Sequence, residues 1–479
     1  MDPSIKKHNP SFFIKAFPTL LLSVLFLFGA ILIGRVLNWG DIPFNVLDWS
    51  QEGPRYLFLK NVLQQGKWPL FIDSPMIETD RFLGIPDTLL VPQILLLHIV
   101  SLGQFILINT LFNYALGFYF LLRLKRQLSW SLTTILIVAP LVMLNGFILS
   151  HLAVGHSMWV NAFLIPWLIE LCLCFPQEKI KWHWILNLSL FSLTLCLQGG
   201  FHFVLWSWGF IFIYALTKKL SIKTGVLAIL ISALASMIRI LPASVTYYTS
   251  DRLFIAGFRT LDDLVRSLIQ LQLPEQSQAL MNSGLPNWET NFYIGLLSSL
   301  FLLIFGIILP ILCKDPRNRF VRFWIPIFVM TILSLGQIFR FTNFLPLPFA
   351  HTERVSSRFF YIPFLFLIMI AGSTFNSWWE KFRQWSHKWL VICGIMLIIL
   401  HDLAQNARFW RVDRLQTLFE IVDVPVIGDI LTKTDPPYTT SILVGAAITL
   451  STIIVLLILT LKNQTNNNTS KDSDPSNQD

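Results

Sequence analysis

Hydrophobic positions in this chain fall into long unbroken runs, not into the alternation of half-buried strands or the single apolar stripe of surface helices. Several runs reach the roughly 18–20 residues that an α-helix needs to cross a bilayer. The candidate spans lie at 18–37, 104–122, 131–150, 158–175, 184–199, 203–217, 224–242, 291–312, 321–337, 357–376, 388–403 and 440–461, the shorter ones at 15–17 residues. The pattern predicts an all-α polytopic membrane protein with about twelve transmembrane helices. The shortest pair, 184–199 and 203–217, is joined by Gln198-Gly199-Gly200-Phe201-His202 and reads as a tight helical hairpin.

Positive charge orients these spans. Lys6/Lys7/Lys15, Arg123/Lys125/Arg126, Lys179/Lys181, Lys218/Lys219/Lys223, Lys314/Arg317/Arg319/Arg322 and Lys381/Arg383/Lys388 all fall on the N-terminal side if twelve spans cross. Lys and Arg collect in cytoplasmic loops, so both termini are expected inside. The apolar segment 88–102 would put every later cluster outside if it crossed. It is therefore expected as a re-entrant or interfacial helix on the outer face. Residues 1–17 form a cytoplasmic N-terminus, with 18–37 a retained first span, since no small-x-small cleavage site follows it. Long connections at 38–103, 243–290 and 404–439, with a shorter one at 338–356, face outward. The Asn/Ser/Asp-rich residues 462–479 read as a disordered cytoplasmic tail.

Composition removes whole classes of function. The chain of 479 residues is 54% hydrophobic and 13% charged, far from the roughly 25% charged residues of soluble domains. Its net charge of +9 follows from inside loops, and no nucleic-acid partner is expected. The five cysteines form no CxxC pair, which argues against a disulfide framework or a cysteine zinc site. No GxxxxGK[ST] phosphate loop is present, which counts against an ATP-driven pump.

Acidic residues are concentrated. The stretch 38–88 holds Asp41, Asp48, Glu52, Asp73, Glu78, Asp80 and Asp87, whereas only Glu170 and Glu178 lie between Thr88 and Asp251. Trp39, Trp49, Tyr56, Trp68, Phe71 and Phe82 share the first stretch. Aromatics and glycine turns are poor material for disorder, so this loop is expected to fold against the membrane surface. Glu78-Thr79-Asp80 offers a weak acidic pair for a hard divalent cation such as Mg or Mn. Glu170, in the fourth run, suits an interhelical hydrogen bond. His151, His156 and His202 fall near outer span ends. The five-residue separation of His151 and His156 is not that of a helical metal pair, and substrate hydrogen bonding is the favoured role.

Asp48-Trp49-Ser50-Gln51, Gly66-Lys67-Trp68-Pro69-Leu70 and Gly84-Ile85-Pro86, in that order, resemble the first outer loop of bacterial GT-C-type membrane glycosyltransferases. The YfhO-like branch is the most similar. His151, Gly155-His156-Ser157-Met158-Trp159-Val160-Asn161, Gln198-Gly199-Gly200, Leu241-Pro242, Asn291-Phe292-Tyr293-Ile294-Gly295 and Arg354-Val355-Ser356-Ser357-Arg358 extend the resemblance over roughly residues 18–375. Phe71-Ile72-Asp73 departs from the Trp-Asn-Pro common there.

The resemblance implies a GT-C-like domain over 18–461 in a bacterial cytoplasmic membrane. The enzyme would use a polyprenyl-phosphate sugar donor and an extracytoplasmic polysaccharide, glycolipid or wall-polymer acceptor. An acid of the first outer loop would serve as base or help hold a metal, with Asp48 the first candidate and Asp41 its rival. Gln51, His156, Arg239, His351, Arg354 and Arg358 are the substrate-binding candidates; arginine suits the leaving phosphate because its planar fork can hold two oxygens. The alternative reading is a transporter or flippase of lipid-linked saccharides, for which ionisable groups near mid-membrane and internal repeats are the signature.

Overall fold

A computed structural model describes residues 12–177, 179–217, 222–246, 257–281, 285–313, 319–341, 353–382, 388–422 and 426–472. The chain is mostly helical, and all twelve apolar runs are helical over most of their length. Among the described residues, seven helices are long and apolar enough to cross a membrane, or eight if the bent pair Ile222–Ala235 and Met237–Thr246 counts as one. Ser157–Leu173, Trp182–Leu197, Phe201–Leu216 and Trp324–Leu333 are shorter apolar helices.

Two segments form the centre. In the most apolar 18-residue stretch of each, 94% of the residues of Leu132–Val154 and 89% of those of Ser356–Trp379 are buried, against 28% for Phe17–Val36 and 17% for Pro436–Asn463 at the periphery. On the outermost helix, Leu443, Leu450 and Leu457 recur every seven residues and are exposed, an apolar face suited to lipid. Local signals set the helix starts. Ser101 and Gln104 form a reciprocal capping box at Leu102–Gln127, and Ser131 and Asn145 each accept a hydrogen bond from an otherwise unpaired backbone N–H.

The ends of these helices separate into two layers. At one end, the connections 38–103 and 404–439 are stitched together. Strands Ile72–Asp73 and Asp429–Ile430 pair antiparallel, Arg81 bonds Asp435 at 2.7 Å, and the Val422 N–H donates to the Asn45 carbonyl at 2.8 Å. The same end holds the 243–290 connection, where Phe258 bridges Leu335 and the Glu289 carbonyl accepts from Ser357. At the opposite end, Arg322 donates to the carbonyls of Cys172 and Leu173. There Arg123 bonds Glu170 at 2.6 Å, the interhelical role expected for that acid.

Two expectations change. Segment 88–102 does not form a helix of its full length; Leu102 already opens the helix Leu102–Gln127, and Pro92–His98 forms a short 3₁₀ helix. Pro92 starts it, and Leu95 and Ile99 remain exposed along it. The final helix does not stop near Asn463 but continues to Asp472. A helix already nucleated by the preceding apolar turns adds residues one hydrogen bond at a time, so a polar sequence extends it without a core to bury.

Candidate functional site

The site forms where the span Leu132–Val154 ends. Asn145 caps the helix Gly146–Val154, and Gly155 ends it at φ 105°, a left-handed conformation that favours glycine. The chain then turns into the 3₁₀ helix Ser157–Leu164, which places His156 on the elbow. The elbow is also the seat of the helix Trp49–Gln64. The Asp48 N–H donates to the Val154 carbonyl at 3.1 Å, and the Trp49 indole donates to the Ala153 carbonyl at 2.9 Å. A Cβ on Gly155 would stand 2.4 Å from the Trp49 nitrogen, so this docking needs glycine.

Asp48 occupies the N-cap position of Trp49–Gln64 but makes no side-chain cap. Its Oδ2 instead lies 2.5 Å from His156 Nε2, with 48% of its side-chain surface open and only 10% of that of His156. The surrounding burial pushes the Asp48 carboxyl up, but His156, with a smaller contribution from Arg358, outweighs it and holds the pKa below the usual value. The carboxylate is therefore ionised near neutral pH, fixed on one side and open on the other.

Behind this pair lies a buried polar cluster. His151 stacks on Trp159 with centroids 4.4 Å apart and planes 9° from parallel. Arg358 covers Trp159 at 4.9 Å and grips Glu289 through Nε and Nη2 at 2.8 and 2.5 Å. Glu289 Oε2 also lies 3.2 Å from His151 Nε2. Burial alone would raise the Glu289 carboxyl, yet Arg358 and His151 hold it well below the ordinary range. Glu353 receives Nδ1 of His202 at 3.0 Å and the Trp206 indole at 3.3 Å. Glu52 lies on the other flank, accepting from Ser157 at 2.6 Å and Arg55 at 2.5 Å. There burial wins, and the Glu52 pKa is raised despite Arg55.

The structure brings together some of the residues singled out in the sequence and separates others. Asp48, His156 and Arg358 share the site. Asp41 is exposed and takes a hydrogen bond on its backbone and carboxylate from Asn38. Gln51 and Arg354 are exposed, and His351 lies outside the described residues. Arg239 is not presented to a ligand. Its fully buried guanidinium is taken up by the carbonyls of Leu83, Ile85, Pro86 and Thr88 and by the Thr88 hydroxyl. It clasps residues 83–88 to the bent helix pair, a structural role. Glu78 is exposed, and Asp80 pairs with Lys433 at 2.7 Å. Among the described residues the one group spaced for a metal is His151, His156 and Glu289.

Glu289 is the residue that sequence reasoning missed. It sits in the connection 243–290, two residues before the apolar run that starts at 291. An acid placed so close to a span entry was the available signal. Compared with models of known protein families, with curated proteins and with solved structures, the chain matches none.

Proposed function

We propose that this protein is a membrane glycosyltransferase that moves a sugar from a polyprenyl-phosphate carrier to an acceptor hydroxyl outside the membrane. The proposal takes the twelve helical segments as crossings, the stitched connections as the outer layer and a bacterial cytoplasmic membrane as the setting. It rests on the GT-C resemblance, and one observation carries it into chemistry: the Asp48 carboxylate, anchored by His156 and open to solvent on its other side.

In inverting transfer the acceptor oxygen attacks the anomeric carbon as the bond from that carbon to the lipid phosphate breaks. The phosphate leaves with the bonding electrons, and a carboxylate takes the acceptor proton. Asp48 has the protonation state and the access for that step. His156 fixes its orientation, so little rearrangement is needed when the acceptor arrives. Exposed Arg354 is the described candidate nearest in sequence to Arg358 that retains an open charge for the leaving phosphate. Arg358 itself is occupied by Glu289.

The test is transfer of labelled sugar from a polyprenyl-phosphate donor in proteoliposomes. Asp48→Asn is expected to lower transfer by roughly 10²–10⁴-fold, with folding intact, while Asp41→Asn leaves it near the native rate. Equal loss in both variants would remove Asp48 from the role of base. Carrier movement across the bilayer without any sugar transfer would replace the enzyme by the transporter alternative.

A further inference from the structure

We infer that His151, His156 and Glu289 form a binding site for one divalent transition ion of the zinc class. The site does not depend on the transfer reaction proposed above.

Three side chains from two distant parts of the chain converge here. Their ligand atoms lie within 4.8 Å of one another, and all three residues are buried. Burying two imidazoles and a carboxylate together is unfavourable unless their lone pairs and protons are matched. They are not fully matched. His151 Nδ1 lies 2.7 Å from the Phe147 carbonyl, and Nε2 lies 3.2 Å from Glu289 Oε2. Both ring nitrogens thus face acceptors, and a neutral imidazole carries only one N–H. With that hydrogen on Nδ1, the Nε2 lone pair points at a carboxylate oxygen. A cation between them resolves the conflict.

His156 supplies the second, independent observation. Its Nδ1 is buried without a hydrogen-bond partner, while Nε2 is held by Asp48. Each histidine therefore has one nitrogen fixed by an oxygen, from a backbone carbonyl for His151 and a carboxylate for His156. That is the outer arrangement that orients imidazoles toward a metal and sets their tautomer. Glu289 is fixed in the same sense by the fork of Arg358.

Distances suit a small ion. Two ligands at the usual zinc bond lengths of a tetrahedral site stand about 3.3 Å apart, close to the 3.2 Å between His151 Nε2 and Glu289 Oε2. His151 and Glu289 are pinned by Phe147 and Arg358. His156 completes the set with Nδ1, which carries no other partner. Two imidazoles and one carboxylate favour zinc, cobalt or iron over magnesium. Three protein ligands leave a fourth position for water. Asp48 then acts as a positioning residue for His156 in addition to its proposed role as base.

The experiment uses the full chain in detergent micelles, stripped by a chelator and then loaded with zinc or with cobalt. Bound metal is measured by mass spectrometry of the eluted protein, and cobalt geometry by its visible absorption. The native chain is expected to retain one ion per chain, to show the intense bands of tetrahedral cobalt and to melt at higher temperature when loaded. His156→Gln and His151→Asn are expected to lose the ion, whereas Glu78→Gln and Asp80→Asn keep it. Should a histidine variant misfold, the cobalt spectrum of the native chain still decides. A folded, stripped native chain that takes up neither ion would overturn the site, leaving a proton between His151 and Glu289. Full binding by folded His156→Gln would overturn it as well.

Discussion

Arg358 and Glu289 lie 69 residues apart in sequence and meet through two hydrogen bonds with little of either side chain exposed. The pair joins the 3₁₀ helix Ser356–Phe360, which leads into a central span, to the turn Asn287–Glu289, which precedes the peripheral helix Leu296–Cys313. On its far side Glu289 faces His151, and Arg358 covers Trp159. One ion pair thus aligns three connections around the elbow that carries His156.

Removing the arginine from that pair leaves a buried carboxylate without its counter-charge. Arg358→Ala is expected to cost about 3–5 kcal/mol, read as a lowered midpoint in denaturant unfolding in micelles. Arg358→Lys keeps the charge but loses the two-pronged grip, so an intermediate loss is expected. An unfolding midpoint unchanged by Arg358→Ala would show that the pair contributes nothing net.

Gly155→Ala tests the elbow. Its φ of 105° and the 2.4 Å approach to the Trp49 nitrogen leave no room for a methyl group. The backbone strain alone is expected to cost about 1–3 kcal/mol. The start of Trp49–Gln64 must also shift, taking Asp48 away from His156. Sugar transfer should therefore fall further than global stability does, and Trp49 fluorescence should change. A variant with native activity would mean that the elbow relaxes without moving Asp48.

Arg239→Met should act on the connection 38–103 and leave the elbow intact. It leaves several carbonyls of residues 83–88 without their donor, at about 1–3 kcal/mol for each buried orphan. Faster hydrogen exchange is expected in peptides covering 82–98, with little change in 146–160. Equal protection in both regions would contradict the clasp.

Glu353 makes stability depend on acid. Burial raises its carboxyl, but His202, Arg358 and the Val355 N–H outweigh that and lower it below the ordinary value. A carboxyl depressed in the folded state contributes stability above its unfolded pKa of about 4.3 and loses it as pH falls through the lower folded value. The melting temperature of the native chain should therefore exceed that of Glu353→Gln at neutral pH, and the gap should close as pH falls below that of free carboxyls. A gap that widens in acid would reverse the assignment.

Periodicity and charge alone made the twelve helical segments legible, because an apolar run of span length has one low-energy conformation when water is absent. The positive clusters grouped the connections into two sets, and among the described residues the connections 38–103 and 404–439 are joined at one end of the helices. Asp48 could be singled out because it matches the resembled family's position and lies beside aromatics in a long loop. The site as a whole was not. The five-residue spacing of His151 and His156 argued against a shared ligand until Gly155 folded the chain between them and brought their rings to 5.0 Å. Glu289 enters from 138 residues away, and Arg239, a substrate-binding candidate because it is ionisable inside an apolar run, spends its donors on carbonyls. Hydrophobic pattern is a property of neighbours in sequence, so it determined the helices. Convergence of polar groups depends on how those helices pack, and only the tertiary structure decided which charges are paired, which are buried and which remain open.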